Sequence, residues 1–271
     1  MKCVKCFMEG NVFKGSDIME KIVYSKEENA DLVFTLKTER KKNIRSGIYG
    51  FTQRELAYNS NKIEGSTLSQ KHTLALFETG QIYTEKNEVY KPKDVEEMQG
   101  HFAMFNYMLD TLQEPINESI IKGLHKKLKQ CVFEDIANGY NIGEYKGRRN
   151  FVGDIATALP SEVPDKIKEL LEWYHSQNVT LEILAEFHAR YESIHPFQDG
   201  NGRTGRIILF RECLFHSICP FILRDENRAI YINALNKGQT ENQFTELVAL
   251  FEKEQCRYKE QLKDALMCAD N

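Results

Sequence analysis

Apolar residues along this chain recur at steps of three and four, the spacing that lays them along one side of an α-helix. The pattern runs through Val95, Met98, Phe102, Phe105, Leu109 and Leu112, resumes in Ile120, Ile121, Leu124 and Leu128, and returns in Val163, Ile167, Leu170, Leu171 and Tyr174. Leu181, Leu184, His188 and Tyr191 carry a further helix, and Phe244, Leu247, Phe251, Tyr258 and Leu262 the last. Upstream, Phe51 to Ile63 reads as helical, and a shorter helix is expected between Leu68 and Phe77, opened by Thr67 and Gln70 in the order of a capping box. The fold class expected is all-α.

One stretch breaks the helical habit. Phe151 to Thr157 reads as two short β-prone runs around Gly153-Asp154, a hairpin signal. Residues 1–50 are less legible, and their charge-rich run Lys37 to Arg45 is expected to be a solvated helix face. With no internal repeat and no Pro/Gly/Ser-rich linker, nothing compels a domain boundary.

Composition narrows the classes. At 271 residues, with 41% hydrophobic and 28% charged residues, the chain has the make-up of a folded protein able to bury a core. Its net charge of −4, with both signs interspersed, lacks the one-sided basic field of a nucleic-acid binder. Met1 to Gly15 has no apolar h-region, and no run approaches the roughly 20 apolar residues of a spanning helix, so neither secretion nor membrane insertion is expected and the cytoplasm is the expected location. The seven scattered cysteines suit reduced thiols; Cys3 and Cys6 form one CxxC, but no second ligand pair completes a zinc site. Cys213, Cys219, Cys256 and Cys268 read as small apolar helix residues.

The chemistry concentrates in His195-Pro196-Phe197-Gln198-Asp199-Gly200-Asn201-Gly202-Arg203-Thr204-Gly205-Arg206. These residues follow one predicted helix and precede the apolar run Ile207 to Phe215, so a glycine-rich loop opens a helix. The first N–H groups of a helix have no partner within it, and the helix dipole favours an anion there. Gly200 and Gly202 permit unusual dihedrals and close backbone approach, and Asn201 tolerates the same turn and can donate through its side chain. Arg203 and Arg206, three apart, can grip phosphate oxygens from one side. Asp199 offers a hard oxygen ligand for Mg²⁺, and His195 can accept a proton near neutral pH. A base, a metal carboxylate, an anion nest and two arginines are the parts of phosphoryl or nucleotidyl transfer, and no Walker GxxxxGK[ST] pattern competes.

The segment resembles the active-site motif of the Fic family, HxFx(D/E)GNGRxxR, at every specified position, and the resemblance extends over roughly residues 50–237. It implies a Fic-type helical core with a small β-hairpin flap, and an enzyme in which His195 deprotonates a Ser, Thr or Tyr hydroxyl of a target protein as that oxygen attacks the α-phosphate of ATP. Asp199 would hold Mg²⁺, Gly200, Asn201 and Gly202 would cradle the α- and β-phosphates, and Arg203 and Arg206 would bind the β- and γ-phosphates. Phe197 would anchor the loop, and Val152, Gly153, Asp154, Ile155 and Thr157 would align a target segment by strand-like pairing. Tyr231 is either an adenine-stacking or a core tyrosine. The retained Gly202 and Arg203 favour transfer of AMP over transfer of phosphate.

Ser60 and Glu64 stand one helical turn apart, followed by Gly65, and this string resembles the family's inhibitory motif (S/T)xxxE(G/N) in the subgroup whose inhibitory helix precedes the core. It implies that Glu64 pairs with Arg206 and denies that arginine to ATP, while Ser60 steadies the glutamate's helix. The same activity extends to self-modification; removal of AMP from a modified protein, and a nucleotide-binding module without significant transfer, are the alternatives, and a homo-oligomer is open. His188 reads as a core histidine, His101, His125, His175 and His216 stand outside any motif, and Lys146, Arg148 and Arg149 read as solvated. The expected organisation is an N-terminal segment 1–50, a catalytic unit 51–237 whose inhibitory helix is about 51–65, and a C-terminal helix in 238–271 packed on the core.

Overall fold

The computed structural model describes residues 24–82, 89–152 and 155–269. Cys3 and Cys6, and Gly153 and Asp154, on which a turn is expected, lie outside them. The architecture is helical: α1 (Lys26–Lys41), α2 (Ile48–Ile63), α3 (Gln70–Thr79), α4 (Pro92–Asp110), α5 (Glu118–Lys129), α6 (Phe133–Ala137), α7 (Val163–His175), α8 (Leu181–Ile194), α9 (Asn201–Phe215), α10 (Arg228–Glu241) and α11 (Thr245–Ala269). Between α6 and α7, Phe151–Val152 (β1) and Ile155–Ala156 (β2) pair antiparallel, Phe151 opposite Ala156. Two residues on each side do not make a sheet layer, so the core is built by helices alone. Among the described residues no helix is long and apolar enough to cross a membrane.

Helix starts follow local chemistry. Ser25 caps α1 in a reciprocal box with Glu28, Asn117 caps α5, Thr180 caps α8, and Pro92 opens α4 where a missing N–H costs nothing. The cap of α3 departs from expectation: Ser69 Oγ accepts from His72 N–H, and His72 Nδ1 accepts from Ser69 N–H. Thr67 instead ties the loop to α4, its backbone N–H and hydroxyl both donating to Asp94. The charge-rich run is also less solvated than expected, for Arg40 donates to the Asn106 carbonyl and pairs with Asp110.

The helix α9 runs through the middle of the molecule, against α8, α4, α5 and α2. Its apolar residues Ile207, Ile208, Leu209, Phe210, Cys213 and Leu214 are all buried, as are its charged ones, Arg203, Arg206, Arg211 and Glu212. A helix enclosed on every side must find a partner for each buried charge, because an unpaired one costs several kcal/mol. Arg211 therefore pairs with Glu212 and donates to the Thr111 and Glu114 carbonyls. Arg203 and Arg206 turn the other way, toward α4 and α2. Against the opposite side of α2, Ala57, Leu68, Leu76 and Met98 form a second, smaller cluster that fixes α3 in place.

His101 of α4 is fully buried, and among the described residues neither ring nitrogen has a hydrogen-bond partner. Burial, reinforced by Arg206 and Arg203, pushes its pKa down to about 3. The folded state therefore refuses a proton that the unfolded chain takes up near the ordinary histidine value, and stability present above that value is lost as pH falls. Denaturant unfolding at pH 7.5 and at pH 5 is expected to show a loss to which His101 contributes about 2 kcal/mol. The variant His101→Leu should lose less than the parent by that amount; equal losses would refute the assignment.

Candidate active site

α8 ends at Ile194, and His195 caps it in the left-handed region at φ 50°, a conformation uncommon for a residue with a Cβ. Gly200 opens α9 with φ 82°, where a side chain would be strained. Between them the loop folds onto itself. Phe197 N–H donates to Asn201 Oδ1 at 2.7 Å and Asn201 Nδ2 donates back to the Phe197 carbonyl at 2.8 Å. The Asn201 side chain thus closes the loop on itself, using one of its two amide N–H donors. The Phe197 ring is fully buried and stacks on His125, with centroids 3.8 Å apart. The N–H groups of Asn201, Gly202 and Arg203 precede the first bond of α9, Thr204 N–H to the Gly200 carbonyl, and so form the helix end suited to an anion.

Asp199 leads into that end. Its Oδ1 accepts from Gly200 N–H at 2.6 Å and from Arg203 at 3.3 Å, while Oδ2 meets Lys129 at 2.8 Å and Lys93 at 3.3 Å. Burial alone would raise its pKa, but Arg203, Lys129 and Lys93 together hold the carboxyl well below the usual range. The Lys129 ammonium, itself buried, also pairs with Glu97 and Asp135. Carboxylate oxygens of Glu97, Asp135 and Asp199 lie within 4.8 Å of one another, a grouping that could hold a cation, and Lys129 Nζ is bonded to all three. Only Asp199 of the three has a substantially exposed side chain, at 34%.

Arg203 pairs with Glu97 and donates to Asn61 Oδ1. Arg206 donates from Nε to Ser60 Oγ at 2.9 Å, and from a terminal nitrogen to the Ser60 carbonyl at 2.9 Å and to Glu64 Oε1 at 2.6 Å. Ser60 therefore holds the arginine itself, beyond any role in steadying α2. Glu64 is the C-cap of α2, Gly65 follows at φ 90°, and Glu64 Oε1 lies where a Cβ on Gly202 would come within 2.3 Å of it. A cavity of about 270 Å³ opens beside these groups, lined among others by Asn61, Glu64, Lys93, Glu97, Asp199 and Arg203.

The remaining expected residues divide. His195 keeps 18% of its side chain exposed, beside Glu192. Tyr231 is 1% exposed and bonded through its hydroxyl to His188 Nε2 at 2.7 Å, so it stands in the core and not on an open wall. His188 is buried as expected, and burial pushes its pKa down to about 4, which keeps it neutral. Thr157 hydrogen-bonds Asn150, and Lys146 is no solvated cation: it is buried and donates to Asn150, Thr157 and the Ile194 carbonyl, joining the root of the short ladder to the residue before His195. Burial pushes Lys146 down to about 8. Sequence reading missed Lys93, Glu97, Lys129, Asp135, Asn61 and Glu192, and it left His125 aside, although that ring supports Phe197 and bonds the Asp199 carbonyl.

Residues 115–212 match the model of the Fic/DOC family. The chain is similar to the protein adenylyltransferase fic-1 of Caenorhabditis elegans, 27% identical over 66% of this chain and 35% of the relative, and to the protein adenylyltransferase Fic of Nematostella vectensis, 28% identical over 67% and 42%. It thus spans less than half the length of either relative. Its fold is that of a Fic-domain-containing signaling protein from Bacteroides thetaiotaomicron, with a TM-score of 0.71 and 24% identity over 88% of this chain and 95% of that one.

The anchoring of Asp199 makes a stability prediction. Lys129→Met leaves Glu97 and Asp135 as buried carboxylates short of a cation, and should cost about 3–5 kcal/mol in urea unfolding. Adding Asp135→Asn to that variant should recover part of the loss, and no recovery would show that the cluster is not coupled.

Proposed function

We propose that this chain, which carries a Fic/DOC family domain across residues 115–212, transfers AMP from ATP to a hydroxyl of a protein target and is restrained by its own Glu64. The observation that carries the reading is the meeting of a partly exposed imidazole, a helix end rich in free N–H groups and two buried arginines on one loop and helix. His195 takes the proton of a target Ser, Thr or Tyr hydroxyl; the oxygen attacks the α-phosphorus, and the bond to the bridging oxygen of pyrophosphate breaks. The turn Gly200 to Gly202, through the N–H groups of Asn201 and Gly202, cradles the α- and β-phosphates, and Arg203 and Arg206 take the β- and γ-phosphates.

Asp199 suits Mg²⁺, because it offers a hard oxygen at the lip of the cavity and phosphates with water supply the remaining ligands. When bound, the ion would offset phosphate charge. Glu97 and Asp135, buried around Lys129, are not available in the same way. The catalytic unit is taken as 51–237 with α2 as its inhibitory helix, and β1 and β2 are the base of a flap, joined at Val152 and Ile155 and rooted at Thr157, that receives the target as an added strand.

Arg206 already spends a nitrogen on Glu64 at 2.6 Å, next to Gly202, so the γ-phosphate and the glutamate compete for one cation. With α-labelled ATP, Glu64→Gly should raise protein labelling on the order of tenfold or more, the worth of one charge-assisted hydrogen bond. His195→Ala in that background should lower it by about 10²–10⁴, and chelation of divalent cations should suppress it. Label arriving from γ-labelled ATP instead would overturn AMP transfer, and equal labelling with and without Glu64 would overturn the restraint.

A further inference from the structure

α9 and α8 approach so closely at Gly205 that a Cβ there would lie 2.5 Å from Glu192 Oε1 and 3.0 Å from the His188 ring. The space is filled by the Glu192 carboxylate, 5% exposed, one turn before His195 on the same helix. Its Oε2 lies 3.5 Å from His195 Nδ1, at the outer edge of hydrogen-bonding reach. That nitrogen is buried and, among the described residues, makes no hydrogen bond of full geometry and has no acceptor nearer than Glu192; Glu192 Oε1 is likewise without a partner among them. Burial by itself would raise the carboxyl's pKa; the neighbouring His195 ring and Arg206 hold it below the ordinary value, so the group is an anion at neutral pH.

We propose that Glu192 is a positioning residue for the proposed transfer: its carboxylate receives Nδ1–H of His195 and so keeps the lone pair of that ring on Nε2. The inference rests on reading His195 as the base. A neutral imidazole carries one proton, and in water it prefers to carry it on Nε2, which would leave nothing there to accept a proton from a substrate. With Nδ1 sealed inside the fold and 18% of the side chain still exposed, the open part of the ring lies away from Nδ1. A fixed anion at Nδ1 reverses the preference and favours the imidazolium that forms as the target hydroxyl loses its proton, the same logic by which a buried carboxylate orients the histidine of a hydrolase triad. His188 does not substitute for His195, since it is neutral and its own Nε2 is committed to Tyr231.

The test is the tautomer of the His195 ring, read by ¹⁵N–¹H correlation on the full-length, ¹⁵N-histidine-labelled chain at slightly alkaline pH. The wild-type chain should show Nδ1 protonated and Nε2 bare, Glu192→Ala should shift the ring to the Nε2–H form, and Glu192→Gln, whose amide oxygen still accepts, should retain the wild-type form. In the Glu64→Gly background, Glu192→Ala should lower kcat for AMP transfer by about 10²-fold or more, leave KM for ATP unchanged, and be largely rescued by Glu192→Gln. A wild-type ring already in the Nε2–H form, or one indifferent to Glu192→Ala, overturns the proposal without need of any activity. An Nδ1–H ring lost in Glu192→Ala upholds the contact even if no variant transfers AMP, a result that would strike at the proposed function alone.

Discussion

The structure depends on the neutralisation of the cations of α9. That helix packs against α8, α4, α5 and α2, and Arg203, Arg206 and Arg211 lie on it with almost no access to water. Water cannot compensate them, so protein must. Arg211 is settled by its neighbour Glu212 and by carbonyls at the end of α4, which is a matter of stability. Arg203 and Arg206 are settled by α4 and α2 at the other end, where Arg203 and Glu64, the partner of Arg206, line a cavity. The site is therefore the place where the core's electrostatic requirement meets the surface.

Asp199 shows the same tension from the other sign. A carboxylate held by two lysines and an arginine is thoroughly ionised, and a ligand there exchanges partners already in place. The chain of Lys129, Glu97 and Arg203 links Asp199 to the guanidinium one turn into α9, so any change at one end of this row of alternating charges alters the other.

The helical fold was legible because its signal is local. Three- and four-residue spacing survives in the sequence whatever the helices pack against, and Val95 to Leu112 or Val163 to Tyr174 can be read without knowing their neighbours. The loop from His195 to Arg206 was legible for the same reason, since its parts are contiguous. What supports the loop was not. Lys129 lies 70 residues from Asp199 and Asn61 lies 142 from Arg203, and a lysine at the end of a helix looks solvated until another helix closes over it. Lys146, in the loop before β1, reads as solvated until Asn150, Thr157 and the end of α8 take its ammonium, and Thr67 reads as a cap although its partner, Asp94, comes from α4. Glu192 sits at an ordinary helical position; only the absence of a side chain on Gly205, across the interface, makes room for it.

Arg206 has three acceptors, and two of them belong to Ser60. Ser60 is buried in the body of α2, whereas Glu64 is more than a third exposed at the tip of that helix. Loss of the glutamate contact therefore leaves the guanidinium still clamped in place, pointing where it pointed before. An incoming anion meets a cation whose rotamer search is already over, so the swap of one negative partner for another carries little ordering entropy.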